Sequence, residues 1–162
     1  MPSPTPPPRN ILLVDDHELV RFGMATLLRG PAARGSIGLI LEATGVDAAR
    51  ALVNAHRVDL ALIDLNLTDS EGLETLRRLR VLCGTIPLAV VSGSGTVPPP
   101  ARLRALGADA WFTKMESLEP VLDWVRRHLR PPAGGLGRPG RFAAGTLPGA
   151  RGTARVAAAR GT

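Results

Sequence analysis

Four short runs of uninterrupted apolar residues, Ile11-Leu12-Leu13-Val14, Leu60-Ala61-Leu62-Ile63, Leu88-Ala89-Val90-Val91 and Ala110-Trp111-Phe112, constrain this chain more than any other feature. A strand with one face in water alternates apolar and polar side chains, because successive side chains point to opposite faces. Runs without that alternation belong to strands covered on both faces. Such strands build a parallel sheet flanked by helices.

The segments between the runs supply the helices. Leu19, Val20, Met24 and Leu27 recur at helical spacing after the first run, and a weaker strand, Leu39-Ile40-Leu41, follows them. Val46, Ala49 and Val53 mark a second helix, and Leu73, Leu76 and Leu79 a third. The last helix has Ser117 as its N-cap and Leu118, Val121, Leu122, Val125 and Leu129 on its apolar face. Pro98-Pro99-Pro100 can open a helix but not sit inside one, so the helix that ends before Gly107 is short. Strand and helix alternate five times. The expected fold is α/β, a doubly wound five-stranded parallel sheet with helices on both faces.

At 162 residues the chain holds one ordinary domain and tails. Residues 1–9 are a proline-rich arm expected to be extended and disordered, 10–130 the domain, and 131–162 a Gly/Pro/Ala/Arg-rich tail expected to be disordered. The formal charge is +6, but the tail carries five arginines and no acid, which leaves +1 for residues 1–130. The basic character therefore belongs to the tail and does not mark the domain as a nucleic-acid binder. A single cysteine, Cys83, excludes an internal disulfide framework and a cysteine-based zinc site. No run approaches the ~18 apolar residues of a membrane span, and the N-terminus has no signal-peptide pattern. A cytoplasmic protein is expected.

The strand ends carry the chemistry. The first run ends in Asp15-Asp16, the third-strand run in Asp64, the next in Ser92 and the last in Lys114. Ligands of open parallel sheets bind at the carboxyl ends of the strands, where the winding reverses, so these side chains face one crevice. Lys114 is the one lysine beside nineteen arginines, which suggests a place that needs a compact ammonium and not a planar guanidinium. A helix N-cap role, which Asp16 could also fill, explains one acid but not three on two strands. Clustered carboxylates repel, and one lysine leaves about two negative charges. A small hard ion such as Mg²⁺, which uses one or two carboxylates, waters and a phosphoryl group, fits that remainder. His17, His56 and His128 lack ligand spacing and read as surface or capping residues.

The stretch from Ile11 through Asp15-Asp16-His17-Glu18 to Arg21, the motif Leu62-Ile63-Asp64-Leu65-Asn66-Leu67, Val91-Ser92-Gly93, and Gly107-Ala108-Asp109 through Lys114 together resemble the receiver domain of bacterial two-component response regulators. The Asp-Asp-His-Glu opening and Gly72-Leu73-Glu74 are most similar to receivers of LuxR-type (NarL-like) regulators. The resemblance covers about residues 9–130. It implies a flavodoxin-like sheet of strand order 2-1-3-4-5 and a phosphorelay role in signal transduction. Asp64 matches the phosphoacceptor, which takes its phosphoryl group from a sensor histidine kinase. Asp15, Asp16 and Asp64, with the backbone carbonyl of Asn66, match the Mg²⁺ ligands. Lys114 and Ser92 match the groups that bind the phosphoryl oxygens, and Ser92 and Trp111 the switch pair. Asn66 and Ser94 fall where the lifetime of the acyl phosphate is tuned. The protein is then a phosphoprotein that catalyses its own phosphorylation and dephosphorylation and not an enzyme acting on other substrates; homodimers are possible.

Four departures stand beside the resemblance. Met115 follows the lysine where many receivers have proline, Gly30 to Gly38 lengthens the first helix-strand connection, and the three prolines shorten the fourth helix of the expected output face. The 32-residue tail is too small for a helix-turn-helix. A stand-alone receiver, a truncated or frame-shifted transcriptional regulator, and an Arg-rich tail that binds DNA weakly are all consistent with it; a degenerate receiver serving only as an interaction module is a further alternative.

Overall fold

A computed structural model gives the structure over residues 7–30, 35–93, 98–114 and 117–129. In chain order these form β1 (Arg9–Val14), α1 (Glu18–Leu28), β2 (Ile37–Ala43), α2 (Val46–Ala55), β3 (Leu60–Ile63), β4 (Asn66–Leu67), β5 (Ser70–Glu71), α3 (Gly72–Cys83), β6 (Leu88–Ser92), α4 (Pro100–Ala105), β7 (Ala110–Thr113) and α5 (Glu119–Leu129). The main sheet has the order β2-β1-β3-β6-β7 and every pairing in it is parallel. Counting the strands of this sheet alone, that is 2-1-3-4-5, the flavodoxin-like order.

The unalternated runs are explained by two apolar layers. Ile11 and Leu13 of β1 pack with Met24 and Leu28 of α1 and Val121 and Val125 of α5 on one face. Leu12 and Val14 pack with Val46, Leu76, Leu79 and Leu103 of the other three helices on the opposite face. Neighbouring residues of one strand thus enter different cores, so every position must be apolar. The chain leaves β1 towards β2 and then returns to place β3 on the other side, so the winding reverses between β1 and β3.

The element ends follow local chemistry. Pro100 is the first residue of the six-residue α4, as its missing N–H allows. Gly107 ends that turn at φ 96°, and a Cβ there would lie 2.5 Å from the Arg80 side chain, so glycine is required on both counts. Arg80 donates to the carbonyls of Gly107 and Ile86 at 3.0 and 2.7 Å and so staples α3 to the strand starts. Cys83, the last residue of α3, is buried, and burial pushes its thiol pKa up to about 11.

Several boundaries differ from those expected. The first strand begins at Arg9, whose N–H donates to the Ser36 carbonyl at 2.9 Å, one residue inside the segment read as an arm. The weak second strand runs from Ile37 to Ala43 because it pairs along β1, a support its sequence does not advertise. Helix α5 starts at Glu119, and Ser117 Oγ accepts the Glu119 N–H at 3.3 Å from one position further out than an N-cap. The N-cap of α1 is His17 and not Asp16. Residues 1–6 of the arm and the whole 131–162 tail lie outside the described residues, as does Met115. Among the described residues no helix is long and apolar enough to cross a membrane.

Candidate functional site

Strand register builds the site. Val14 pairs with Ile63 on one side and Ala43 on the other, so the residues that follow, Asp15 and Asp64, leave the sheet side by side. Two backbone bonds fix them: Asp15 N–H to the Ala43 carbonyl at 3.0 Å and Asp64 N–H to the Val14 carbonyl at 2.8 Å. Ser92 pairs with Thr113 across β6 and β7, and its carbonyl accepts the Lys114 N–H at 2.7 Å. The Ser92 side chain is buried at that strand end. The lysine is thereby launched from the far strand back over the crevice.

Lys114 Nζ reaches Asp15 Oδ2 at 2.5 Å and also contacts Asp64 Oδ2. Both carboxylates are almost fully buried, at 2% and 3% exposure, and the lysine side chain is at 10%. Buried charges that are not paired are costly, so one ammonium shared by two carboxylates is what makes this pocket tolerable. Asp64 Oδ1 accepts the Asn66 N–H at 3.2 Å, and Asp15 Oδ1 accepts the His17 N–H at 2.9 Å.

Asp16 is the third carboxylate. Its Oδ1 is buried with no hydrogen bond of acceptable geometry among the described residues, although His17 Nδ1 is 2.9 Å away. Ligand atoms of Asp15, Asp16, His17 and Asp64 lie within 4.8 Å of one another. At that spacing two like charges repel by about 3 kcal/mol at an effective dielectric near 20. Lys114 offsets part of this, and an orphaned, buried oxygen remains beside two further carboxylates. The three carboxylates of this group offer hard oxygen donors, which suit a divalent ion such as Mg²⁺.

Asp15, Asp16, Asp64 and Lys114 are therefore brought together, with Asn66 beside Asp64 through its backbone and Ser92 at the neighbouring strand end. Trp111 is not in the pocket. It is half-buried on the face shared with α3 and α4, packed against the second apolar layer, and its Nε1 has no hydrogen-bond partner among the described residues. Ser94 lies outside the described residues.

Two further residues border the site. His17 occupies the N-cap position of α1 without a side-chain capping bond and sets its imidazole Nδ1 3.1 Å from Asp15 and 2.9 Å from Asp16. It is the surface and N-cap residue that its sequence suggests, and its adjacency to the acidic pair is the signal for the contact with both carboxylates. Arg21 donates from Nη1 to the Asp15 carbonyl at 2.8 Å while its Nε stands 3.4 Å from Glu42, bracing the strand end from below. One turn of helix after Asp16 places it there.

Comparison with known proteins follows the same lines. The pattern of the response regulator receiver domain matches residues 11–126. The chain is 32% identical over 127 residues to the nitrate/nitrite response regulator protein NarP of Escherichia coli (strain K12), covering 78% of this chain and 56% of NarP. It is 29% identical over 117 residues to the response regulator UvrY of Escherichia coli O157:H7, covering 72% and 52%. The chain spans about half the length of these curated relatives. Among solved structures, a LuxR-family two-component response regulator from Aurantimonas sp. SI85-9A1 shares the fold with a TM-score of 0.62 at 24% identity, over 75% of this chain and 85% of that one. A response regulator from Burkholderia pseudomallei, solved with a phosphorylated aspartic acid, a calcium ion and citrate, matches with a TM-score of 0.56 at 27% identity, over 70% and 64%.

Proposed function

This chain belongs to the response regulator receiver domain family, and we propose that Asp64 is its phosphoacceptor, charged by the phosphohistidine of a sensor histidine kinase. The observation that carries this reading is the bridge made by Lys114 Nζ between the buried carboxylates of Asp15 and Asp64. A cation held against the nucleophile is already where the oxygens of an incoming phosphoryl group must be neutralised.

In the transfer, an Asp64 carboxylate oxygen attacks phosphorus, the P–N bond to the kinase imidazole breaks, and the imidazole keeps the electron pair and takes up a proton. The product is an aspartyl phosphate. Lys114 moves from Asp64 to the phosphoryl oxygens, and the Ser92 hydroxyl, in register with Thr113 next to the lysine, donates to them. Asp15, Asp16, Asp64 and the Asn66 carbonyl would hold Mg²⁺, whose charge would offset that of the transferring group. The phosphorylated aspartic acid and calcium ion of the Burkholderia pseudomallei protein support this assignment, since calcium also takes hard oxygen ligands. Asn66 and Ser94, at the positions where the family tunes the lifetime of the acyl phosphate, are both uncharged, and neither side chain is a base for the hydrolytic water.

The output is a change at a protein-binding face, with Ser92 and Trp111 as the switch pair and a homodimer as one product. DNA is a partner only if an effector domain is present in a longer product, or weakly through the Arg-rich tail, and a cytoplasmic location fits a sensor kinase as phosphodonor. Incubation with acetyl phosphate and Mg²⁺ is expected to add one phosphoryl group, seen as a single mass increase that hydroxylamine removes. Asp64→Asn abolishes it. Absence of labelling on the wild-type chain, from a small donor and from a kinase alike, would replace this reading with that of a degenerate receiver acting only as an interaction module.

A further inference from the structure

The loop after Asp64 is fastened to helix α2 by the carboxylate of Asp69. Helix α2 begins at Val46 with Gly45 as an N-cap that offers no side chain. Asp69 supplies the missing acceptor from another part of the chain: its Oδ2 accepts the Asp47 N–H at 3.2 Å. A Cβ on Gly45 would lie 2.6 Å from Asp69 Oδ2 and 2.8 Å from its Cγ and Oδ1. The Gly45 φ of −169° is extended backbone open to any residue, so it is space for this carboxylate, and not conformation, that requires glycine.

Asp69 is the second residue of the two-residue turn joining β4 to β5, and the turn is held from both sides. Arg78 of α3 donates to the Asp69 carbonyl at 3.1 Å and stands 3.6 Å from the Asp47 carboxylate, closing a ring of α2, turn and α3. From the turn the connection to the site is short. Leu67 pairs with Ser70 and Asn66 with Glu71, the Gly72 N–H donates to the Leu65 carbonyl at 2.8 Å, and the Asn66 N–H donates to Asp64 Oδ1. A small hairpin has no independent stability, so its geometry is set by what its tip is tied to.

We propose that Asp69 is a positioning residue: by capping α2 across the gap left by Gly45 it holds the β4–β5 hairpin so that the Asn66 backbone stays beside Asp64. The inference rests on the phosphoacceptor reading for its functional meaning, since the Asn66 backbone matters there both as the donor to Asp64 and as the carbonyl assigned to Mg²⁺. A cap with a stability role alone would act on α2 and leave Asn66 untouched.

The test uses the full chain and three variants, Asp69→Ala, Asp69→Asn and Gly45→Ala. Hydrogen exchange at the Asn66 amide is expected to speed up on the order of tenfold in Asp69→Ala while amides in the middle of β1 and β3 keep their protection. Mg²⁺ affinity, by titration calorimetry, falls about threefold or more in the same variant. Asp69→Asn, which keeps an acceptor suited to capping, restores both. Gly45→Ala reproduces the Asp69→Ala exchange pattern in the wild-type background and adds little to it in the double variant, because both remove one interaction. Wild-type Asn66 exchange and Mg²⁺ affinity in Asp69→Ala would overturn the proposal, as would additive effects of the two substitutions. Failure of acetyl phosphate to label Asp64 in the wild-type chain would instead sink the phosphoacceptor reading, and the exchange measurement would still decide the clamp.

Discussion

Lys114 has two tasks, to neutralise Asp15 and Asp64 in the resting site and to follow the phosphoryl group afterwards. A single point charge on a flexible stem can do both; a guanidinium spreads its charge over a planar fork that needs more room. Lys114→Arg is therefore expected to keep the fold but lower the rate of Asp64 labelling by about tenfold or more, a barrier increase of ~1.4 kcal/mol. Time courses with acetyl phosphate at saturating Mg²⁺ measure it, and an unchanged rate would mean that charge alone matters at this position. At this scale the sequence was generous. Three acids and one isolated lysine at strand ends were enough to assemble the pocket, because strand ends of a parallel sheet converge by construction. Hidden from it were contacts across turns: His17 against both carboxylates, Arg21 under the Asp15 carbonyl, and Asp69 in the space left by Gly45. Each depends on where a loop bends, which neither periodicity nor spacing encodes.

Among the elements, α1 presents a surface that the core does not use. Leu19 and Phe22 are 65% and 66% exposed, three residues apart on one side of the helix, and they follow directly on His17 and Glu18 at the rim of the acidic pocket. Exposed aromatic and aliphatic side chains beside the acidic pocket fit a protein that would bring a phosphohistidine to Asp64. Phe22→Ala is expected to slow transfer from a phosphorylated kinase by about tenfold and to leave labelling by acetyl phosphate as it was. Equal slowing with both donors would assign Phe22 to the fold and not to docking. The helices were legible because their apolar residues recur at helical spacing, and the main strands because their apolar runs are unbroken; β2 was faint because its length comes from pairing with β1. The β4–β5 hairpin was not, since two residues per strand carry no period; its fixed point is the buried Leu67, a lone apolar residue in a polar stretch.

For the whole molecule, the acidic cluster is a store of unfavourable charge that unfolding would release, so an ion that binds only the folded pocket must stabilise the entire domain. Mg²⁺ at about a hundred times its dissociation constant contributes ~2.7 kcal/mol, on the order of 10 °C in Tm for a domain of this size. Thermal melts with Mg²⁺ and with a chelator measure the difference, and Asp16→Asn is expected to remove most of it. A melting temperature indifferent to Mg²⁺ would show that Lys114 alone settles the charge.

The strand order has a consequence for how the molecule comes into being. Strand β1 lies between β2 and β3, and the cation of the site follows β7, the last strand of the sheet. A chain emerging from the ribosome exposes Asp15 and Asp16 first, gains Asp64 only when β3 can pair with β1, and meets Lys114 some fifty residues later still. Until then every intermediate carries the repulsion without its relief. Parallel pairings between distant segments are already slow to form, and here the final strand of the sheet brings the charge that lets the earlier ones settle together.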